Sequence, residues 1–418
     1  MTVLPNFPSA SPPHDSTSHD PLVEELKQYL INAGKPQALE DAVQAALKYK
    51  VPQQIKWGIT SAEGFLEFAD KMLFWIPHEN FEGKDVNWML CMFYFIFDQP
   101  PLLDLQTPIL PTSIGKPLTW VSDWIVAYAK KMGQFMDTPE SITTESYESF
   151  VNSPKYHTSE CIVPPGGFKT FNELFTRHLK DGRRPIDGLN DPKTIVFPAD
   201  STFDGAWQIQ NNSIVSLKNL PWPIKDLLQD SNYKDEFAGG IWMHAILDSF
   251  DYHRQHAPVA GIVREAKIIE GAAYMDIIAT LDENGKPTLK PVRGYSEKLT
   301  AALPVIPGRD KELEAPDHPG YQFLQIRGLI TIESPVLGLV AALPIGMAQV
   351  SSVVLNKLIK IGEPVEKGQE ISNFAFGGSD IVLVFQKKAG LTLSSFPPVT
   401  TPPTHYNVGN KLAVANPV

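Results

Sequence analysis

Three short segments of this chain carry side chains whose types and spacing suit nucleophilic and acid–base chemistry. The first is Gly377-Gly378-Ser379-Asp380, set between Phe374-Ala375-Phe376 and the apolar run Ile381–Phe385. Two glycines ahead of a serine let the backbone bend sharply and expose the Gly378 carbonyl to an approaching hydroxyl. The same residues dominate ordinary β-turns, so the tetrapeptide alone is weak evidence. A nucleophile elbow of the Gly-x-Ser-x-Gly type is excluded, because Ile381 stands where the second glycine belongs.

The second segment runs from Phe250 to Gly261 and contains Tyr252-His253-Arg254-Gln255-His256. Histidines three apart would share one face of a helix, as a metal pair does. Pro258 and Gly261 end any helix at once, and no third ligand accompanies the pair, so no metal is expected. A pair of surface histidines is the plainer reading; a general base near neutral pH is the functional one. The third segment is Phe197-Pro198-Ala199-Asp200, an aspartate closing an apolar strand. Such an aspartate either caps a turn or orients a histidine.

The elements that must hold these segments read as an α+β chain. Asp20–Pro21 is an N-cap with a first-turn proline, followed by an apolar face of Leu22, Val23, Leu26, Tyr29 and Leu30 up to Gly34. Leu39, Val43, Ala46 and Leu47 mark a second helix, and Thr60 with Glu63 suggests a capping box for a third. Helices are further expected over 84–98, 118–136, 140–151 and Thr170–Lys180. Strands are expected at Thr194–Phe197, Ala206–Gln210, Ile241–Leu247, Gly261–Ile269, Phe323–Ile332 and Val336–Leu343. The domains are then a disordered lead-in (1–20), a helical N-terminal domain (21–167), a β-rich catalytic domain (168–393) and an irregular tail (394–418). The glycines and lysine of Ile361–Ile371 (IGEPVEKGQEI) resemble the tight turns of a lipoyl or biotinyl domain, a barrel-sandwich hybrid. Here the following strand leads to Ser379 instead of displaying a lysine.

Composition narrows the partners. A net charge of −11 argues against nucleic acid or an anionic membrane as the main partner. The densest apolar run, Met89–Phe97, is about half the length that spans a bilayer and reads as a buried helix. The first 20 residues hold no Lys or Arg and no signal-like apolar stretch, and the chain reads as cytoplasmic. Two cysteines, Cys91 and Cys161, are too few for a disulfide framework.

Taken as an ordered set, the motifs resemble the phosphatidylserine decarboxylase family. The resemblance lies at Thr170–Asp187 (TFNELFTRHLKDGRRPID), Phe197–Asp200, Tyr252–Gly261 (YHRQHAPVAG) and Phe376–Phe385 (FGGSDIVLVF), within about 168–386. The helical region before it is similar to the extension of soluble fungal members, among them the psilocybin-pathway tryptophan decarboxylase. The resemblance implies a zymogen in which the Ser379 hydroxyl attacks the Gly378 carbonyl, with His256 as general base oriented by Asp200. Asp204 is the fallback for that carboxylate. Cleavage leaves associated chains 1–378 and 379–418, and Ser379 becomes a pyruvoyl group, the sole cofactor implied. Its ketone forms a Schiff base with the substrate amine and takes up the electrons released with carbon dioxide. His253 is the candidate proton donor, and Arg254 accompanies the motif as a stabiliser of its loop. Many relatives carry Ser or Thr where Asp380 stands. A carboxylate there would raise local basicity, contact a substrate amine or slow cleavage.

The substrate expected is a small amino acid, with aromatic ones such as tryptophan favoured and Trp207, Trp222, Trp242 and Tyr252 as pocket candidates. The alternative is phosphatidylserine. An alternative of another class is a non-enzymatic, lipoyl-like binding domain. A homo-oligomer is compatible with the sequence.

Overall fold

The computed structural model describes residues 18–295, 319–348 and 353–418. Most of the expected lead-in, residues 1–17, lies outside the described residues.

Helices build the first part of the chain. Pro21–Asn32 starts at Asp20, whose carboxylate accepts from the Leu22 amide. The helix expected after Thr60, Ala62–Leu73, follows the short helix Pro52–Lys56 and is capped by Ser61 accepting from Gly64 N, one residue on from Thr60. Asp85–Phe97 contains the apolar run, and from Met89 onward every side chain is buried. Apolar residues on all sides require a helix at the centre of its layer. Its rings Phe93 and Phe97 pack with Phe65, Trp124 and Tyr128 from the neighbouring helices. No helix among the described residues is long and apolar enough to cross a membrane.

The helix expected over Thr170–Lys180 is shorter, Phe171–Phe175, capped by Thr170. From there the chain turns to strands. They begin with β1 (Thr194–Val196), β2 (Ser201–Gln208), the hairpin β3 (Ile214–Leu217) and β4 (Leu220–Pro223), and β5 (Ile241–Leu247). Next come β6 (Arg254–His256), β7 (Gly261–Ile269) and the hairpin β8 (Ile277–Leu281) and β9 (Pro287–Pro291). After them run β10 (Arg327–Ser334), β11 (Gly338–Met347), β12 (Val353–Leu355), β13 (Pro364–Val365), β14 (Glu370–Phe374) and β15 (Gly378–Phe385). The last two are β16 (His405–Tyr406) and β17 (Lys411–Val414).

One antiparallel sheet of eight strands, ordered β13-β7-β10-β11-β15-β5-β2-β16, dominates this half. Strand β15 lies in its interior between β11 and β5, so Ser379 sits opposite Gly346 on one side and Leu247 on the other. A three-stranded sheet, β12-β14-β6, carries the histidine segment. The tail expected to be irregular is instead tied in twice: β16 pairs with β2, and β17 pairs with β1. Helices and sheets share one apolar core. Helix Asp85–Phe97 packs on the β8–β9 hairpin, and the Ile277 amide donates to Asp98 just beyond that helix (2.8 Å).

Candidate active site

Ser379 is placed by the turn before it. Gly377 has φ +141°, a conformation L side chains rarely adopt, and it swings the chain from β14 into β15. Phe376 anchors the turn by packing against Trp75, Phe171 and Phe175, while its amide donates to Asn172 (2.9 Å). The helical region thereby buttresses the Gly-Gly-Ser segment. Ser379 itself has no solvent exposure.

The two histidines are separated by backbone geometry. Their segment is extended rather than helical, and residues an odd number apart in extended chain point to opposite sides. Burial alternates accordingly, with His253 and Gln255 fully buried and Arg254 and His256 partly open. His253 Nδ1 lies 3.5 Å from Ser379 Oγ. Its Nε2 lies 3.3 Å from the Ser249 carbonyl, which can only accept, so Nε2 bears the proton and Nδ1 keeps a lone pair toward the hydroxyl. The imidazole stacks on Phe175 with ring centres 3.9 Å apart. Burial, followed by the nearby Arg177 cation, holds its pKa down at about 3, so the ring is neutral across the physiological range.

His256 is occupied elsewhere. Its Nδ1 is 2.7 Å from the Gly368 carbonyl and its Nε2 is 3.2 Å from the Tyr252 hydroxyl. Burial lowers its pKa. Asp200 does not hydrogen-bond it: the carboxylate takes Arg184 Nε at 2.8 Å and the Val408 amide at 2.7 Å, fastening the C-terminal segment. Arg184 also reaches Glu160 (3.0 Å). The expected Asp200–His256 hydrogen bond therefore gives way to an Asp200–Arg184 pair, because a guanidinium offers a carboxylate a two-pronged, charged donor. Arg254 donates to the Thr176 carbonyl (2.6 Å) and Glu370 (2.7 Å), stitching the histidine strand to its surroundings.

The opposite face of β15 is charged. A bulge in β2 next to Gly205 re-aims Asp204, which lies 2.8 Å from His244 Nδ1 on β5. His244 Nε2 is 3.1 Å from Asp380. Asp380 also accepts from Tyr321 and pairs with Arg293, which donates in addition to the Leu247 carbonyl (2.9 Å) and to the Ser379 carbonyl oxygen. Burial opposes charge on His244, but Asp380 and Asp204 overcome it and raise its pKa to about 9. Burial likewise opposes charge on Asp380, yet Arg293 and His244 hold its pKa at about 2. His244 and Asp380 are therefore both ionised at neutral pH.

The sequence reading did not single out His244, Arg293, Tyr321 or Arg184. A histidine inside the apolar strand Ile241–Leu247 was the one available signal, since a buried polar group needs partners. Arg293 reaches Ser379 only through the tertiary fold. Of the pocket candidates, Trp222 and Trp242 are fully buried against Phe323 and against Trp207 and Tyr295 respectively, so they form core. A cavity of about 400 Å³ adjoins the histidine segment and is lined by Arg177, Arg184, Asp200, Asp251, Tyr252 and His405 among others. No cluster among the described residues could hold a metal ion.

Ser379 is thus a buried serine on an interior strand, placed after a glycine turn and against a neutral imidazole. The family model described as phosphatidylserine decarboxylase matches residues 171–413, and the chain belongs to that family. It is 30% identical over 258 residues to phosphatidylserine decarboxylase proenzyme 3 of Schizosaccharomyces pombe, covering 61% of this chain but only 22% of that relative. It is 29% identical over 258 residues to decarboxylase iboD of Amanita muscaria, covering 59% of this chain and 69% of the relative. The Chlamydia muridarum phosphatidylserine decarboxylase proenzyme is 31% identical over 245 residues, with the same two coverages. Members of the family are pyruvoyl-dependent carboxy-lyases that mature from a proenzyme by autocatalytic cleavage.

Proposed function

We propose that this chain cleaves itself between Gly378 and Ser379 and then decarboxylates an amino acid. The observation that carries this reading is the 3.5 Å approach of a buried, neutral His253 to Ser379 Oγ within the family's motif. His253 takes the hydroxyl proton as Oγ bonds to the Gly378 carbonyl carbon, and the proton passes to the departing Ser379 nitrogen. The peptide bond is thereby exchanged for an ester. Removal of the Ser379 Cα proton then forms the Cα=Cβ bond and breaks Cβ–Oγ, leaving Gly378 as a carboxylate. Addition of water and loss of ammonia at the new terminus complete a pyruvoyl group at position 379.

The residues present fit such a group: Ser379 is shielded from water, and the Arg293 guanidinium donates to its carbonyl oxygen. When formed, the group supplies a ketone that condenses with amines and an electron sink for decarboxylation. This chain's residues do the rest: Phe175 stacks on His253 and packs on Phe376, fixing the imidazole, and His253 moves protons. In this reading His253 is the maturation base, the role expected of His256, and Asp200 is an anchor for the tail.

For the substrate, a free amino acid, with aromatic ones favoured, is the first reading, supported by the net charge of −11, which disfavours an anionic membrane surface. Phosphatidylserine is the second reading, supported by the names of the fission-yeast and chlamydial relatives. A carrier of the lipoyl type is disfavoured, because Lys367 is buried and donates to the Gly188 and Asp191 carbonyls. The turns around that lysine and the short β12–β14 pairing support a lipoyl-like barrel-sandwich as the local architecture.

Intact mass under denaturing conditions tests the proposal. Wild type should give chains 1–378 and 379–418, the small one blocked to N-terminal sequencing, and Ser379→Ala should give one uncut chain. An uncut wild type would overturn the reading. Carbon dioxide release from tryptophan and from phosphatidylserine vesicles, assayed side by side, separates the two substrates.

A further inference from the structure

The buried cation Arg293 has a position that the acyl shift leaves unexplained. Its guanidinium donates to three acceptors: the Leu247 carbonyl, the Asp380 carboxylate and the carbonyl oxygen of Ser379 itself. The last contact matters chemically. Ser379 is the residue whose Cα–H must be broken during maturation, and an α-proton is acidic only insofar as the adjacent carbonyl oxygen can accept negative charge. A fixed cation aimed at that oxygen, in a site closed to water, is how proteins stabilise developing oxyanions. The arrangement is built for permanence. Asp380 is held in turn by His244 and by the Tyr321 hydroxyl, and His244 by Asp204. All four partners are fully or almost fully buried.

We propose that Arg293 is a further catalytic residue, which stabilises negative charge on the Ser379 carbonyl oxygen when the Cα–H bond breaks and the Cβ–Oγ ester bond is released. This rests on the self-cleavage reading above. In that step the Cα–H pair becomes the Cα=Cβ bond, the proton goes to the neutral His253 imidazole, and the Cβ–Oγ pair leaves on the Gly378 carboxylate. Charge builds transiently on the Ser379 oxygen, where Arg293 meets it. The same oxygen would become the amide carbonyl of the pyruvoyl group, and Arg293 would be the residue to hold it. Asp380 is then a positioning residue, which fixes the guanidinium and balances its charge. This gives the carboxylate after the cleaved serine a use distinct from basicity, amine contact or repulsion.

The test separates the acyl shift from the elimination. Full-length Asp380→Asn and Arg293→Met/Asp380→Asn chains are purified and followed by intact mass with and without hydroxylamine, which cuts esters. The double variant avoids leaving one buried charge without its partner. It should form the ester, so that hydroxylamine releases a fragment beginning with an unblocked Ser379. Its spontaneous cleavage should be about 100-fold or more slower than that of the single variant, the scale for losing one oxyanion donor. Arg293→Lys, which keeps the charge, should eliminate faster than Arg293→Met/Asp380→Asn. Spontaneous maturation of both Arg293 variants within about threefold of their controls would overturn the proposal, as would equal slowing of ester formation and elimination, the mark of a structural defect. An uncut wild type would instead remove the self-cleavage reading on which the proposal stands.

Discussion

The two faces of β15 differ sharply across a single peptide unit. On the Ser379 face stand Phe175, Phe376 and a neutral imidazole, with burial driving the His253 pKa down to about 3. On the Asp380 face a histidine has its pKa driven up to about 9 by two carboxylates, and an arginine completes the ionised chain. Both histidines are fully buried, so burial alone does not decide their charge. Neighbours decide it: His253 is near cations and a carbonyl, whereas His244 lies between Asp204 and Asp380. A strand delivers the contrast cheaply in sequence, because consecutive residues face opposite ways. One face holds a neutral imidazole beside the serine, and the other holds fixed charge.

That contrast is breakable. The largest stability effect is expected from Asp380→Ala, which leaves Arg293 and His244 buried without their shared anion. A loss of about 3–5 kcal/mol in urea unfolding is expected, the usual cost of removing one partner from a buried pair. A loss under 1 kcal/mol would mean that the charged face relaxes freely.

Next comes the pH dependence of His244. Its folded pKa is raised from 6.5 to about 9, so the folded state binds the extra proton over that interval. Its stabilisation is fully present below about pH 6.5 and is lost as pH rises through about 9. The stability advantage of wild type over His244→Gln should therefore shrink between pH 6.5 and 9, by about 3 kcal/mol on the linkage scale. His253 has the opposite sign, since its depressed pKa takes stability away as pH falls from 6.5 toward 3. Denaturant titrations of wild type, His244→Gln and His253→Gln at several pH values check the two signs.

The smallest effect is expected at Asp200. Asp200→Asn weakens the Arg184 pair and the hold on the C-terminal segment but leaves Ser379 and His253 in place. Self-cleavage within about twofold of wild type is expected, with Asp204→Asn slower because it disturbs the His244–Asp380–Arg293 chain behind Ser379. The reverse order would restore Asp200 as the orienting carboxylate.

Much of this was legible in the sequence. The strands Ile241–Leu247 and Gly261–Ile269 have the bounds their β-branched runs imply, and the apolar Met89–Phe97 lies in a buried helix. The serine motif stood out because two glycines preceded it and an apolar run followed. What was not legible depended on pairing. Whether His253 or His256 meets the serine turns on the segment being strand, and that follows from β14 lying alongside it. The bulge at Asp204 and the reach of Arg293 to Ser379 leave no periodic trace. The tail's Pro and Thr residues conceal β16 and β17, whose partners lie some 200 residues earlier in the chain.

The most direct test of the central claim is the time course of self-cleavage in His253→Gln and His256→Gln, each followed by intact mass from synthesis onward. The account predicts that His253→Gln stays uncut, at least about 100-fold slower than wild type as expected for a lost general base. His256→Gln should still split after Gly378. Cleavage in His253→Gln with an uncut His256→Gln would contradict it and return the base to the other face of the strand.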